Sequence, residues 1–191
     1  MLVTKTVTEL LDAFASPAPT PGGGSAAALS GAVGASLLAM VAAMTKTKNG
    51  TPDDRAALDA ALPKIQALRR QLIDLVDRDA ASYDDVVAAY KLPKATDEEK
   101  SARKAAIQRA MKGATEVPLE TARAAVALIP LARIVAEHGN PNAKSDVGVA
   151  LSHAQTAFAG ARANVEINMD SVGDADYAAK TRAELDRLTR A

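Results

Sequence analysis

At 191 residues and 48% apolar composition, the chain has the size and the material for one domain, 1–191, with one substantial core. Its 23 basic and 23 acidic side chains cancel, which removes the positive field that sequence-independent binding to DNA or RNA draws on, so no nucleic-acid partner is expected. There is no cysteine, hence no disulfide or thiolate metal site, and His138 and His153 do not form a HExxH-like pair, so no metal is expected.

The opening stretch MLVTKTVTELLDAF carries acidic residues where a signal peptide needs its apolar segment, and a cytoplasmic protein is expected. Within it Val7, Leu10, Leu11 and Phe14 define a short first helix, stopped by the proline-rich stretch from Ser16 to Pro21. Gly22, Gly23 and Gly24 lead to Ser25, which has the character of an N-cap for a second, apolar helix. From Ala26 to Met44 that helix has no charge and is about long enough to cross a bilayer. It is rich in alanine, serine and glycine, which gain little from lipid, so it is read as a buried central helix with no membrane partner. Ser30 and Gly34 have the small-xxx-small spacing that lets a neighbouring backbone come close.

Thr51, Pro52, Asp53 and Asp54 supply a cap, a first-turn proline and dipole-matched acids for a third helix running to about Tyr90, with a kink expected at Pro63. Thr96 and Glu99 form a capping-box pattern that opens a fourth helix to His138, with kinks expected at Pro118 and Pro130. Gly139 stops it, a turn from Asn140 to Lys144 follows, and a fifth helix begins near Ser145 or Asp146. A charged amphipathic helix spans roughly Asp174 to Arg190. Alternating strand patterns are missing throughout, and the expected fold is an all-α bundle of long, kinked antiparallel helices around the Ala/Gly-rich one.

Three places break their local rule. Leu58, Leu62, Ile65, Leu72 and Val76 draw a core stripe on the third helix, and Asp79 and Tyr83 occupy its next positions. An inward carboxylate must be paired, hydrogen-bonded, shifted in pKa or turned to a cavity; it is either satisfied by a helix end or an arginine, or it serves a site. The turn His138 to Asp146 gathers Asn140, Asn142, Lys144, Ser145 and Asp146, more polar groups than capping alone requires, while His138 suits a dipole partner at a helix end. The Gly22–Gly23–Gly24–Ser25 loop permits close backbone approach and offers helix-end amides, without being a Walker A or dinucleotide fingerprint. Asn164 and Asn168, one turn apart on the fifth helix, are placed to cap or bridge helices.

Read together, PTPGGGSAAALSGAVGASL from Pro19 to Leu37, DAASYDDVVAAYKLPK from Asp79 to Lys94, VPLETA from Val117 to Ala122, GNPNAKSDVGVA from Gly139 to Ala150 and ARANVEIN from Ala161 to Asn168 resemble the cyclodeaminase/cyclohydrolase family of folate metabolism. The resemblance covers nearly the whole chain. It implies a compact helical homodimer that acts on a reduced folate without a metal or any cofactor beyond that substrate. The activity it implies is methenyltetrahydrofolate cyclohydrolase, with formimidoyltetrahydrofolate cyclodeaminase as the alternative; a non-catalytic helical interaction module is the alternative of another class. On this reading Asp146 and Asp79 are the carboxylate candidates and Tyr83 a secondary donor. Asn140, Asn142 and Ser145 orient the pterin or water, Lys144 meets the anionic glutamate tail or steadies a carboxylate, and Pro21, Gly22, Gly23, Gly24 and Ser25 form a backbone surface against the ligand. All are expected around one pocket.

Overall fold

The computed structural model describes residues 1–190, and among these there are six α-helices, one short 3-10 turn and no strand. The helices are α1 (Val7–Ala15), α2 (Gly23–Ala43), α3 (Pro52–Tyr90), α4 (Asp97–His138), α5 (Lys144–Met169) and α6 (Ala175–Thr189), with the 3-10 turn Pro141–Ala143 just before α5. The caps read at Thr51 and Thr96 are made, and Thr6 and Asp174 add two more. Thr6 and Thr96 form capping boxes with Glu9 and Glu99, Thr51 accepts from the Asp54 amide at 3.2 Å, and Asp174 accepts from the Tyr177 amide at 3.0 Å.

Two junctions differ from their sequence reading. Ser25 is not an N-cap: α2 begins at Gly23 with extended Gly22 in the cap position, which makes no side-chain hydrogen bond. Gly139 ends α4 at an ordinary φ of −73°, so left-handed backbone is not why a glycine stands there. The reason is space, because a Cβ would run into the Val135 carbonyl and lie 3.1 Å from Cγ1 of Val41.

α2 lies between α3 and α5, and α4 closes the bundle behind it. Small residues set the spacing: a Cβ on Gly31 would meet the Leu72 side chain at 2.9 Å, and one on Gly34 the Ala150 carbonyl at 2.8 Å. The contacts Gly23 with Asn164, Ser30 with His153 and Gly34 with Ala150 show α5 running antiparallel to α2. Leu38, Leu58, Ile65, Leu72, Leu75 and Leu128 fill the core between the four long helices. The rest of α2 is not covered. Ala26, Val33 and Met40 are exposed on one side of a helix that is otherwise packed, with Val33 39% and Met40 43% exposed.

α3 and α4 run through their prolines unbroken. At Pro118 the missing N–H leaves the Ala114 carbonyl without its helical donor, and Asn168 of α5 supplies one through Nδ2 at 2.7 Å. A bidentate pair, Arg78 with Glu120 at 2.8 and 2.7 Å, ties α3 to α4. Arg123 does the same for α4 and α6 through Glu184, at 2.6 and 3.0 Å.

Candidate active site

The N-terminal end of α2 opens into a cavity of about 280 Å³. Its walls come from the glycine turn (Gly22, Gly23, Gly24), from α3 (Asp79, Ser82, Tyr83), from Met111 and Ala114 of α4, and from Asn164 and Asn168 of α5. Asp79 is the only carboxylate among them. Its Oδ2 accepts from the Ser25 hydroxyl at 2.8 Å, the residue freed from capping by the early start of α2.

No cation answers Asp79. Arg78, its chain neighbour, is committed to Glu120, and the wall holds no lysine, arginine or histidine. Burial pushes the Asp79 carboxyl above its ordinary value of 3.8, and hydrogen bonds from the Ser25 hydroxyl and amide only partly oppose the rise. Gly24 permits this geometry, since a Cβ there would overlap the carboxylate, with Oδ2 at 2.8 Å. Gly23 lies nearly as close to Asn164, 3.3 Å from a Cβ position to Nδ2. Gly22 caps nothing through a side chain, so the amides of Gly23 and Gly24 receive no acceptor from the cap residue, while the Ser25 amide turns to Asp79. Tyr83 stands at the rim, 41% exposed. Thr20 and Pro19 line the cavity, and Pro21 continues that segment after a cis Thr20–Pro21 bond.

The second polar cluster lies elsewhere in the protomer. Because α5 runs antiparallel to α2, its first turn sits beside the last turn of α2, where Asn140 Nδ2 contacts the Met44 sulfur at 3.8 Å. From Ser25 to Met44 the helix rises roughly 28 Å at ~1.5 Å per residue. Asn140, Asn142, Lys144, Ser145 and Asp146 are therefore not gathered around the Asp79 cavity within one protomer. Asn140 accepts from the Asn142 amide at 3.1 Å and so caps the 3-10 turn. Asn140 and Lys144 border a separate, mostly apolar cavity of about 470 Å³ between α4 and α5, and Ser145 lies on the outer face of α5 near Val149.

His138 also has a structural partner at this end. Its Nδ1 lies 3.0 Å from Oδ1 of Asp54, tying the end of α4 to the start of α3. That contact, with the Asn49 amide at 2.7 Å, draws the Asp54 carboxyl down from 3.8 to about 2. Among the described residues no group of three or more His, Cys, Asp or Glu side chains is arranged to hold a metal ion.

Asn164 and Asn168 are the cavity residues that the sequence left as bridging groups. The signal was present as two asparagines one turn apart, but their facing helix could not be named without the α4–α5 pairing.

Comparison with known proteins places this arrangement. A sequence model of the family described as formiminotransferase-cyclodeaminase matches residues 6–187. A methenyltetrahydrofolate cyclohydrolase from Methylorubrum extorquens is 45% identical over 188 residues, covering 98% of this chain and 90% of that protein. The formimidoyltransferase-cyclodeaminase of Sus scrofa is 36% identical over 168 residues, and the match takes up 88% of this chain but 31% of the larger protein. The crystal structure of formiminotetrahydrofolate cyclodeaminase from Thermotoga maritima superposes with a TM-score of 0.86 at 28% identity, covering 100% of this chain and 91% of that one.

Proposed function

Because the chain belongs to the formiminotransferase-cyclodeaminase family, we propose that it is a methenyltetrahydrofolate cyclohydrolase, adding water to 5,10-methenyltetrahydrofolate to give 10-formyltetrahydrofolate. The observation that carries this reading is Asp79, a half-buried carboxylate in a cavity whose wall contains no cation. The methenyl bridge is itself a cation, shared between N5 and N10, and it supplies the charge that the protein withholds. Water adds to the bridging carbon while Asp79 takes a proton from it. The bond from that carbon to N5 then breaks; its electron pair stays on N5, which receives the proton, and the hydroxyl proton leaves as the formyl carbonyl forms on N10. The reaction balances with water and the reduced folate alone, releasing one proton to solvent.

Tyr83 at the rim is a secondary donor, and the α2 amides with Asn164 meet the polar edge of the pterin. We assign the enzyme to the cytoplasm and to a homodimer, the latter supported by the uncharged exposed side of α2. A second reading, formimidoyltetrahydrofolate cyclodeaminase, is favoured by the names of the porcine relative and the Thermotoga structure. The same carboxyl group would then deliver its proton to departing ammonia.

Turnover on methenyl and formimino tetrahydrofolate, measured side by side, separates the readings. Loss of the methenyl species without ammonia release is expected. Ammonia release from the formimino substrate as the faster reaction would install the second reading. No binding of either reduced folate would leave a non-catalytic helical module.

A further inference from the structure

Pro118 and Asn168 together make one hydrogen bond that almost any other residue at position 118 would make alone. The proline's missing N–H leaves the Ala114 carbonyl to Asn168, whose Nδ2 donates to it at 2.7 Å across the α4–α5 contact. Two special residues for one ordinary bond is a poor arrangement for stability alone, and what it adds is orientation. A carboxamide has its donor and its acceptor on opposite prongs, so tying the nitrogen to a carbonyl fixes where the oxygen points.

Asn164, one turn earlier on α5, is tied in the same sense, its Nδ2 donating to the Gly160 carbonyl at 2.8 Å. That nitrogen is the atom nearer α2, 3.3 Å from a Cβ position on Gly23 against 4.0 Å for Oδ1. Ala114, Asn164 and Asn168 all line the Asp79 cavity. Among the described residues no group donates to either carboxamide oxygen, yet neither oxygen is sealed away. The buried polar side-chain atoms left without a partner are Arg55 Nε and Asp77 Oδ2, and neither residue is on the cavity wall.

We propose that Asn168 and Asn164 hold the reduced pterin by accepting, through their Oδ1 atoms, from the donor edge of its ring, the 2-amino group and N3–H, and that Pro118 keeps Asn168 in the accepting orientation. The proposal rests on the folate reading for its ligand. The rest of the wall is consistent in kind. The Ser82 hydroxyl is spent on the Asp79 carbonyl at 2.8 Å, and the Ser25 hydroxyl on Asp79 Oδ2 at 2.8 Å. Beside the adaptable hydroxyls of Thr20 and Tyr83, the open side-chain groups are therefore acceptors: two carboxamide oxygens and a carboxylate. Such a wall selects a ring edge rich in N–H donors, with a cationic centre near Asp79, over a ligand presenting carbonyls or phosphates.

The test separates a binding residue from a strut. Asn168→Ala/Pro118→Ala removes the carboxamide but returns an amide to the Ala114 carbonyl, and Pro118→Ala alone is its folding control. At an unchanged denaturant midpoint, the double variant should bind tetrahydrofolate roughly 5–10-fold more weakly than the control. KM for the methenyl substrate should rise by a similar factor, with kcat within about twofold. Asn168→Asp/Pro118→Ala, which keeps an oxygen in that place, should bind within about twofold of the control. Pro118→Ala alone should lie between wild type and Asn168→Ala/Pro118→Ala, because its carboxamide is free to turn; binding equal to wild type overturns the orienting role of Pro118. An alanine double variant that binds like the control makes Asn168 a strut and overturns the inference while the folate reading stands. Weak binding in both double variants traces the loss to packing and overturns it equally. A wild type that binds no tetrahydrofolate removes the folate reading and this inference together.

Discussion

Asp54 and Asp79 are both inward aspartates of α3, and the molecule treats them oppositely. Asp54, 3% exposed, is met by His138, the Asn49 amide and the Thr51 cap, and its carboxyl falls to about 2. Asp79 is met by Ser25 alone and its carboxyl rises. The first is a satisfied charge that joins α3 to α4; the second is a charge left in want of a partner. Burial by itself therefore says little about role, and what distinguishes a fastening from a site is whether the surroundings have already supplied the opposite charge.

The comparison breaks most decisively at Asp79. Asp79→Asn should lower turnover at least ~100-fold while raising the melting temperature, because removing a half-buried charge that no cation meets relieves the fold as it disables the chemistry. A variant that is both active and less stable would erase the contrast. Gly24→Ala comes next: its Cβ overlaps the Asp79 carboxylate, so the helix or the aspartate must move. A loss of about 1–3 kcal/mol in denaturant unfolding is expected, together with weakened folate binding.

Asn168→Ala leaves the Ala114 carbonyl unpaired beside Pro118 and should cost about 1 kcal/mol, read by the same unfolding measurement. Pro118→Ala in that background should restore stability, since residue 118 regains its amide. The smallest effect at neutral pH concerns acid. The depressed Asp54 carboxyl contributes stability that is fully present above its unfolded value near 3.8 and is lost as pH falls toward about 2. Asp79 acts in the other direction, since its raised carboxyl favours the folded state once protonated. Thermal melts of the wild type should therefore decline between pH 4 and pH 2, and Asp54→Asn should flatten that decline. An unchanged slope in the variant would show that Asp54 is not the fastening described.

The helices were legible because their ends are chemically local. Thr6, Thr51, Thr96 and Asp174 each bond an amide within three residues, so a short window of sequence contains the whole interaction. Ser25 shows the limit of that logic: it has a cap's chemistry, but Asp79, 54 positions away, claims its hydroxyl. Asn168 is a second case, since its acceptor exists only through a proline on another helix. The expectation of one pocket for both polar blocks met the same limit, because the direction in which α5 passes α2 is a property of the packed bundle and is absent from either segment alone.

The position of Tyr83 at the cavity rim has a practical consequence. The chain has three tyrosines and no tryptophan, and Tyr90 and Tyr177 lie near cationic side chains, 5.5 and 5.4 Å from ring centre to Arg103 and Lys112. Ultraviolet emission from this protein thus comes from three phenols, one of them at the rim of the Asp79 cavity. A conjugated ring settling there should dim that phenol, giving occupancy an optical reading with no label attached.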